Sequence, residues 1–243
     1  MTGLSANKIK WIRSLQQKKF RDELDLFVIE GEKLVTEALS TCPDTIELIV
    51  HTDRFTYPID SQIETILTSD NDFKRISSLQ NPQGCLAILK KNAIDVPLED
   101  KGLTLVLDSI QDPGNMGTIL RISDWFGIKK VVCSMTTVDC YNPKVVQSSM
   151  GAILRINIHY THLETWLKET KLPVYGALLE GKSIYKESLP EQAIIVMGNE
   201  GNGISDEVRT LITHPVTIPS FGGSESLNVA VATGIIVSEF RRS

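Results

Sequence analysis

Residues 217–242 read TIPSFGGSESLNVAVATGIIVSEFRR. The end of a β-branched strand leads into a Gly-Gly-Ser-Glu-Ser loop, and a long apolar helix follows. Pro219 has no N–H to donate to a neighbouring strand, so it ends the strand. The pattern predicts that Ser226 caps a helix that begins near Leu227 and is buried on all sides. Asn228 would then be a buried amide that needs a hydrogen-bond partner, which indicates a functional site.

The length and composition are those of a soluble globular protein. The chain has 243 residues, which is enough for one large domain or two modest ones. No apolar run reaches the roughly 18 residues that a membrane span needs. The first 15 residues also lack the apolar segment of a secretory signal. We therefore expect a cytoplasmic protein that does not associate with membranes.

The cysteines and histidines are dispersed along the chain. Neither set forms a CxxC pair or a zinc-like cluster. We expect the cysteines to be reduced thiols, mostly in the core, and we expect no metal site. The residues concerned are Cys42, Cys85, Cys133 and Cys140, and His51, His159, His162 and His214.

The N-terminal segment is basic although the whole chain carries a net charge of −5. Residues 1–21 contain no acidic residue. Charge alone is compatible with a solvated helix face, and equally with a surface that contacts phosphates. The basic residues are Lys8, Lys10, Arg13, Lys18, Lys19 and Arg21.

Strands and helices alternate in two series. The first series, residues 24–91, predicts a small α/β module. A polar stretch with Pro97 and Gly102 follows and marks a boundary. The second series begins at residue 104 with a continuous apolar run, which is typical of a buried parallel strand. We therefore predict domains at 1–95 and 96–243, the second a parallel sheet with helices on both faces.

Three predicted loops of the second series carry glycine and polar side chains. They are DPGNMGTILR at 112–121, MGNEGNG at 197–203 and IPSFGGSESLN at 218–228. In open parallel sheets, ligands bind beyond the carboxyl ends of the strands. The second loop is out of register with the dinucleotide fingerprint, and the chain contains neither a P-loop nor a GxSxG elbow. These absences count against NAD-dependent, nucleotide-hydrolysing and serine-hydrolase chemistry.

The three loops contain a set of spaced motifs. These are Asn115-x-Gly117-x-x-x-Arg121, Gly198-x-Glu200-x-x-Gly203, and Ile218-Pro219 followed by ESLNVAVA at 225–232. They resemble, in order and spacing, the three motifs of the SpoU (TrmH-type) RNA ribose 2′-O-methyltransferases of the SPOUT class. Residues 18–39 also resemble the RNA substrate-binding module of that family.

The resemblance implies both a fold and an activity. The fold is a SPOUT-type parallel sheet with a deep C-terminal trefoil knot, preceded by a small N-terminal α/β RNA-binding domain. The activity is methylation of a ribose 2′-OH in structured RNA, with S-adenosylmethionine as methyl donor. Ribosomal RNA is favoured over transfer RNA as the substrate. The family also implies a homodimer, and the basic N-terminal residues would contact RNA.

The resemblance also assigns roles to individual residues. Arg121 would be the catalytic arginine. Because a guanidinium rarely gives up a proton, we expect it to orient phosphate and stabilise the developing alkoxide, and the role of base stays open. Asn115 and Glu200 would hold Arg121 and the loop backbone by hydrogen bonds. Ser226 and Asn228 would position the ribose or the carboxylate of the cofactor.

A second group of residues would bind the cofactor. By resemblance these are Gly198, Ile218 and Leu227, with Leu178 and Asn199 as further candidates. Glycine permits a close backbone approach, and two apolar side chains can enclose an adenine.

Glu225 departs from some members of the family. A carboxylate near an RNA site repels phosphate, so this side chain either points away or contributes to selectivity.

Two other functions are compatible with parts of the sequence. One is an RNA-binding or ribosome-assembly factor that keeps the fold but has no catalytic activity. The presence of all four motif residues counts against it: Asn115, Arg121, Glu200 and Asn228. The other is a nucleotide-dependent oxidoreductase, which the missing early glycine fingerprint disfavours.

Overall fold

The computed structural model describes residues 3–91 and 102–242, which form two compact units. The first unit combines the N-terminal segment 1–93 with Asp139–Leu154, and the second combines 94–138 with Arg155–Ser243. The boundary predicted near residue 95 lies outside the described residues. The prediction also placed residues 139–154 in the second domain, whereas they cluster with the first unit.

The described residues form nine α-helices and ten strands. The helices are α1 (Ala6–Ser14), α2 (Lys18–Leu24), α3 (Glu32–Thr41), α4 (Asp70–Ile76), α5 (Pro113–Trp125), α6 (Pro143–Ser149), α7 (Leu163–Lys168), α8 (Asp206–Arg209) and α9 (Val229–Phe240). The strands are β1 (Leu26–Glu30), β2 (Ile46–His51), β3 (Thr65–Leu67), β4 (Cys85–Lys90), β5 (Leu103–Leu107), β6 (Lys130–Ser134), β7 (Asn157–Thr161), β8 (Val174–Ser183), β9 (Ala193–Met197) and β10 (His214–Thr217).

The first unit contains a four-stranded sheet in the order β1-β4-β2-β3. β4 runs antiparallel to both β1 and β2, while β3 is parallel to β2. Ile9 and Ile12 of α1 pack with Leu48 and Leu86 of the sheet in one buried cluster. The N-terminal segment forms two helices, α1 and α2, with a break between them.

A buried ion pair holds residues 139–154 within the first unit. Arg21 is only 2% exposed, and its Nη2 lies 2.6 Å from Asp139 Oδ2. Its Nη1 donates to the carbonyl oxygens of Leu15 and Gln16 at 2.9 and 2.8 Å, just before α2 begins. One side chain therefore fixes both the break between α1 and α2 and the distant residue Asp139.

The second unit contains a six-stranded sheet in the order β10-β8-β9-β5-β6-β7. Every neighbouring pair is parallel. The central strands β5, β6 and β9 are buried along their whole length, as their continuous apolar runs predict. The predicted α/β fold with a parallel sheet is confirmed.

Residues 177–181 lie inside β8. Pro215 pairs with Gly176 and the next residue, Val216, pairs with Lys182, so residues 177–181 bulge out of the register with β10. A Cβ on Gly181 would lie 2.4 Å from the backbone carbon of Val216, so only glycine fits where the bulge closes.

The C-terminal helix differs from the prediction at its start and on one face. α9 begins at Val229, and Asn228 caps it by accepting from the backbone N–H groups of Ala230 and Val231. Ser226 is therefore not the cap. Val231 is 52% exposed, so the predicted burial on all sides is wrong for this face.

Candidate active site

The sheet order of the second unit reverses between β5 and β9. From β5 the chain continues outward through β6 and β7, and it then returns to build β8, β9 and β10 on the other side. In open parallel sheets the ligand site lies at such a point, beyond the carboxyl ends of the strands. Two of the three predicted loops leave the sheet here, one after β5 and one after β9.

The loop after β9 is a tight ring closed by its own backbone. Asn199 and Gly203 exchange two backbone hydrogen bonds, N to O, at 2.8 and 2.9 Å. A Cβ on Gly198 would lie 2.3 Å from the backbone of Gly203 and Ile204. The glycine at 198 is therefore required by the approach of the chain to itself, whereas the sequence prediction had explained it by a ligand.

The start of α5 orients Asn115. Asp112 is the N-cap, and its Oδ1 accepts from the backbone N–H of Asn115 at 2.8 Å. Pro113 occupies the first helical turn, where no backbone N–H is needed. The side chain of Asn115 is therefore free to leave the first turn towards the loops.

Residues from all three motifs meet in one chain of hydrogen bonds. Asn115 Nδ2 donates to Glu200 Oε1 at 2.7 Å. Asn228 Nδ2 donates to Asn115 Oδ1 at 2.9 Å. In this Asn228–Asn115–Glu200 relay, the second carboxylate oxygen of Glu200 has no donor among the described residues.

Arg121 lies apart from this relay. It follows Asn115 by six residues on α5, which corresponds to about 9 Å along the helix and roughly 120° around it. The guanidinium is exposed, and among the described residues it has no hydrogen-bond or ion-pair partner. The predicted hydrogen bonds from Asn115 and Glu200 to Arg121 are not present among the described residues, where Asn115 and Glu200 bond to each other instead.

The residues predicted to bind the cofactor surround the same edge of the sheet. Ile218 follows β10 and is half-buried, and Leu227, immediately before the cap of α9, is 50% exposed. Leu178 lies in the bulge of β8 and packs partly on the core. Gly198 begins the ring after β9. These placements keep the four residues as candidates.

Asn199 has a different role from the one predicted. Its Nδ2 donates to the carbonyl of Ser109 at 2.7 Å, and its Oδ1 accepts from the backbone N–H groups of Gly201 and Asn202. Its side chain therefore organises the ring, so we withdraw it as a side-chain contact to the cofactor.

Ser226 and Glu225 lie in the exposed loop before α9. Neither side chain has a hydrogen-bond partner within residues 3–91 and 102–242. Ser226 stays a candidate to contact the substrate, and the role of Glu225 stays open.

The basic N-terminal residues divide into three groups. Lys10, Arg13 and Lys19 are exposed. Lys8 pairs with Glu64 at 3.2 Å. Lys18 pairs with Asp22 at 2.5 Å, and the hydrogen bond to this carboxylate raises the pKa of Lys18. Arg21 is buried, and its guanidinium is occupied by Asp139 and two carbonyl groups, so we correct the prediction that it contacts RNA.

Sequence reasoning missed Asp108 and Ser109, which follow β5, and their partner Ser205. Asp108 is buried and accepts two hydrogen bonds from Ser205. Ser109 adopts a positive φ of 61°. An acidic residue directly after an apolar strand is the one signal that could have indicated this anchor.

A groove runs between α5 and α9. It has a volume of about 500 Å³ and is mostly apolar, and we call it the α5–α9 groove. Its lining includes Ile122, Phe126, Tyr185, Val231, Gly234 and Ile235. The exposed face of α9 is part of this lining.

None of the described helices combines the length and the hydropathy that crossing a bilayer requires. Within the same residues, no three His, Cys, Asp or Glu side chains converge as metal ligands would.

Comparison with known proteins identifies the family. The profile of the SpoU rRNA Methylase family matches residues 102–238. This chain belongs to the SpoU rRNA methylase family. The MRM3-like substrate binding domain matches residues 6–87 of this SpoU-family chain. The family predicted from the three motifs is therefore confirmed.

The similarity to individual relatives covers nearly the whole chain. The 23S rRNA (guanosine(2553)-2′-O)-methyltransferase RlmP of Bacillus subtilis is 32% identical over 241 residues, which cover 96% of each chain. Among solved structures, a putative RNA methyltransferase of the TrmH family from Porphyromonas gingivalis superposes with a TM-score of 0.90 at 44% identity, covering 99% of both chains. An AdoMet-bound rRNA methyltransferase from Sinorhizobium meliloti has a TM-score of 0.87 at 28% identity. The match covers 100% of this chain and 97% of the Sinorhizobium chain.

Proposed function

We propose that this SpoU-family chain transfers a methyl group from S-adenosylmethionine to a ribose 2′-OH of structured RNA, with ribosomal RNA as its substrate. The observation that carries the proposal is the Asn228–Asn115–Glu200 relay, which joins the three family motifs at the carboxyl edge of the sheet. The names of the relatives support the substrate class, since the Bacillus subtilis protein is a 23S rRNA 2′-O-methyltransferase.

The residues at this edge fit the proposed methyl donor. Ile218 and Leu227 are apolar yet open to solvent, which suits the two faces of an adenine ring. Leu178, in the bulge at 177–181, is proposed as a further contact to the cofactor, and its partial burial supports an apolar contact. When bound, S-adenosylmethionine supplies an electrophilic methyl group on a sulfonium.

The chain's own residues would prepare the ribose oxygen. The free carboxylate oxygen of Glu200 can accept a hydrogen bond from the 2′-OH, and the relay holds this carboxylate in place. Arg121 would contact the RNA phosphate and stabilise negative charge as the 2′-oxygen loses its proton. The exposure of Arg121 supports this role, because a guanidinium without a protein partner is available to an RNA phosphate.

We propose a homodimer that forms through the α5–α9 groove. A second copy of the chain would cover Val231 and Ile235 there, and Gly234 would allow close approach of another helix. The test is analytical ultracentrifugation of Val231→Glu, with Leu67→Glu as control, since Leu67 of the first unit is 45% exposed against 52% for Val231. Monomers for the first variant alone would support the proposal, and a dimer for both would contradict it.

The RNA is proposed to contact the first unit through Lys10, Arg13 and Lys19. These are the basic side chains of the N-terminal segment that are exposed and make no ion pair within the described residues. We expect Lys10→Ala with Arg13→Ala to weaken RNA binding and to lower its salt dependence by about two phosphate contacts. Lys168→Ala, which removes an exposed lysine paired with Glu164, is the control.

Two finer features are part of the proposal. The first is the C-terminal trefoil knot, which the family membership of residues 102–238 supports. A knotted chain pulled from its ends extends less than its contour length, so single-molecule stretching of the unfolded chain tests it. The second is a cytoplasmic location, which the absence of a disulfide among the cysteines of the described residues supports and fractionation of cells tests.

The main experiment measures methyl transfer from tritiated S-adenosylmethionine to total RNA of a strain that lacks the gene, followed by mapping of the labelled ribose. We expect label in ribosomal RNA with the wild-type chain and none with Arg121→Ala. RNA binding without label would favour the assembly-factor function. Binding of NAD but not of S-adenosylmethionine would favour an oxidoreductase.

A further inference from the structure

The glycine-rich ring after β9 is anchored to a buried carboxylate. Asp108, directly after β5, is only 4% exposed. Its Oδ2 accepts from the backbone N–H of Ser205 at 2.8 Å and from the Ser205 hydroxyl at 2.7 Å. Its backbone N–H donates to the carbonyl of Met197, the last residue of β9. Asp108 therefore holds the chain on both sides of the ring, before it at Met197 and after it at Ser205.

The neighbouring Ser109 fixes the ring at a third point. Its carbonyl accepts from Asn199 Nδ2 at 2.7 Å, and its hydroxyl donates to Asp108 Oδ1 at 3.2 Å. Its φ of 61° is a conformation that non-glycine residues rarely adopt. Such strain persists only where the surroundings determine it, and here it directs the carbonyl of Ser109 towards the ring.

The charge of Asp108 makes this anchor unusual. A buried carboxylate is costly unless a cation or several hydrogen bonds compensate it. Within the described residues, no Lys, Arg or His pairs with Asp108, and its compensation comes from neutral donors of Ser205 and Ser109. A carboxylate binds such donors more strongly than a neutral group does. It is therefore suited to immobilise a glycine-rich segment.

Glu200 lies inside the segment that is anchored in this way. The ring on which it sits is tied by Asn199 at its start and by Ser205 just after its end. Because Glu200 reaches Asn115 through one hydrogen bond of 2.7 Å, a shift of the ring by about 1 Å would break that contact.

We propose that Asp108 is a positioning residue for methyl transfer, one that acts by holding the glycine-rich ring so that Glu200 meets Asn115. The inference rests on the proposed function, because Glu200 matters only if the relay serves the reaction. Asp108 touches neither substrate nor cofactor in this account, and its effect passes through Glu200.

The test is a double-mutant cycle on the full chain. Asp108→Asn replaces one acceptor oxygen by a donor amide, and we expect kcat for tritium transfer to fall about tenfold or more. In the Glu200→Gln background the same substitution should change kcat by less than about twofold, because the residue that Asp108 positions is already altered. Asp206→Asn removes an exposed carboxylate one residue beyond Ser205 and should leave kcat unchanged.

A second readout does not depend on activity. We expect amide hydrogen exchange of residues 198–205 to be faster in Asp108→Asn than in the wild type, and unchanged in Asp206→Asn. If Asp108→Asn does not fold, Ser205→Ala removes one of its donors and takes its place in both measurements. Unchanged exchange, or equal losses of kcat in both backgrounds, would overturn the inference. A wild-type chain without methyl transfer would instead refute the proposed function, while exchange still tests the anchor.

Discussion

The side-chain amide of Asn228 donates to Asn115 Oδ1 at 2.9 Å, and this one bond joins residues 113 positions apart. The direction of the bond follows from the backbone. Asn228 Oδ1 accepts from Ala230 and Val231 at the start of α9, so only its Nδ2 can face Asn115. Asn115 must then present Oδ1 to Asn228 and Nδ2 to Glu200. The cap of the last helix thus sets the polarity of the whole relay.

Asn228→Asp keeps the helix cap of α9 but removes the hydrogen-bond donor to Asn115, so it tests the two roles of Asn228 separately. Aspartate caps a helix as well as asparagine does, so we expect the free energy of unfolding to change by less than about 0.5 kcal/mol. However, the new carboxylate has no donor for Asn115 Oδ1, and we expect kcat to fall about 10- to 100-fold. Urea unfolding and tritium transfer measure the two effects.

Asn228→Ala is the matched control. It removes the cap as well as the relay and should cost about 1 kcal/mol of stability in addition to kcat. Full activity of Asn228→Asp would contradict a role of the relay in the reaction.

Arg121→Ala should abolish methyl transfer and leave the Kd for S-adenosylmethionine within about threefold of wild type. The reason is that Arg121 has no side-chain partner in the described structure, so its loss disturbs no internal contact. Isothermal titration and single-turnover kinetics measure the two quantities.

Arg121→Lys keeps the positive charge but removes the forked geometry of the guanidinium, so it shows which of the two the reaction needs. We expect most of the activity to be lost, because an ammonium cannot form the forked contact of a guanidinium with phosphate. Loss of cofactor affinity with intact single-turnover chemistry would overturn the assignment.

The three loops that form the candidate site could be located from the sequence because each combines glycine with polar residues after an apolar strand. Asp112 followed by Pro113 likewise marks the start of α5. The bond from Asn115 to Glu200 could not be predicted, because helical spacing gives no distance to a residue 85 positions away. The expected bond between Asn115 and Arg121 is absent for a different reason, because six residues of α5 place the two about 9 Å apart along the helix and roughly 120° apart around it.

The basic segment shows where composition misleads. Six cations without an acidic residue in positions 1–21 were compatible with a solvated helix face and equally with a surface that contacts phosphates. Lys8, Lys18 and Arg21 instead find carboxylates, and the partner of Arg21 lies 118 positions away at Asp139. Charge counting along a segment does not reveal partners brought together by the fold.

Arg21→Ala should destabilise the first unit by about 3–5 kcal/mol, because it leaves Asp139 with a charge that has lost its partner. Urea unfolding followed by tryptophan fluorescence measures the change when Trp125 and Trp166 are replaced by Phe, so that Trp11 of the first unit is the reporter. Arg13→Ala is the control, since Arg13 is exposed and its loss should change stability by less than about 0.5 kcal/mol. Similar stability of both variants would show that the ion pair contributes little.

Thiol labelling of the native protein at pH 8 should modify Cys42 first. Cys42 is partly exposed, whereas Cys85, Cys133 and Cys140 are buried. Burial raises the pKa of the Cys85 thiol to about 12, so its reactive thiolate is scarce. We expect one fast thiol per chain with a chromogenic disulfide, and four after unfolding.

The raised pKa of Cys85 also makes the stability of the fold depend on pH. Between the ordinary value of 9.0 and about 12, the unfolded chain releases the Cys85 proton while the folded chain retains it. Stability should therefore be unaffected by this group below pH 9 and should decrease as the pH rises above it. Cys85→Ser should reduce this decrease in stability above pH 9. An unchanged slope of the unfolding free energy against pH would contradict a contribution from Cys85.

The ion pair between Arg21 and Asp139 limits how this protein could be dissected or recombined. A fragment that stops at residue 93 would keep Arg21 and Phe27 but lose Asp139 and Tyr141, whose ring centroid lies 4.6 Å from that of Phe27. Such a fragment would expose an uncompensated cation together with apolar surface, and it would be prone to aggregation. A chimera with a relative would have to exchange residues 139–154 along with the N-terminal segment, because the first unit is built from both parts of the chain.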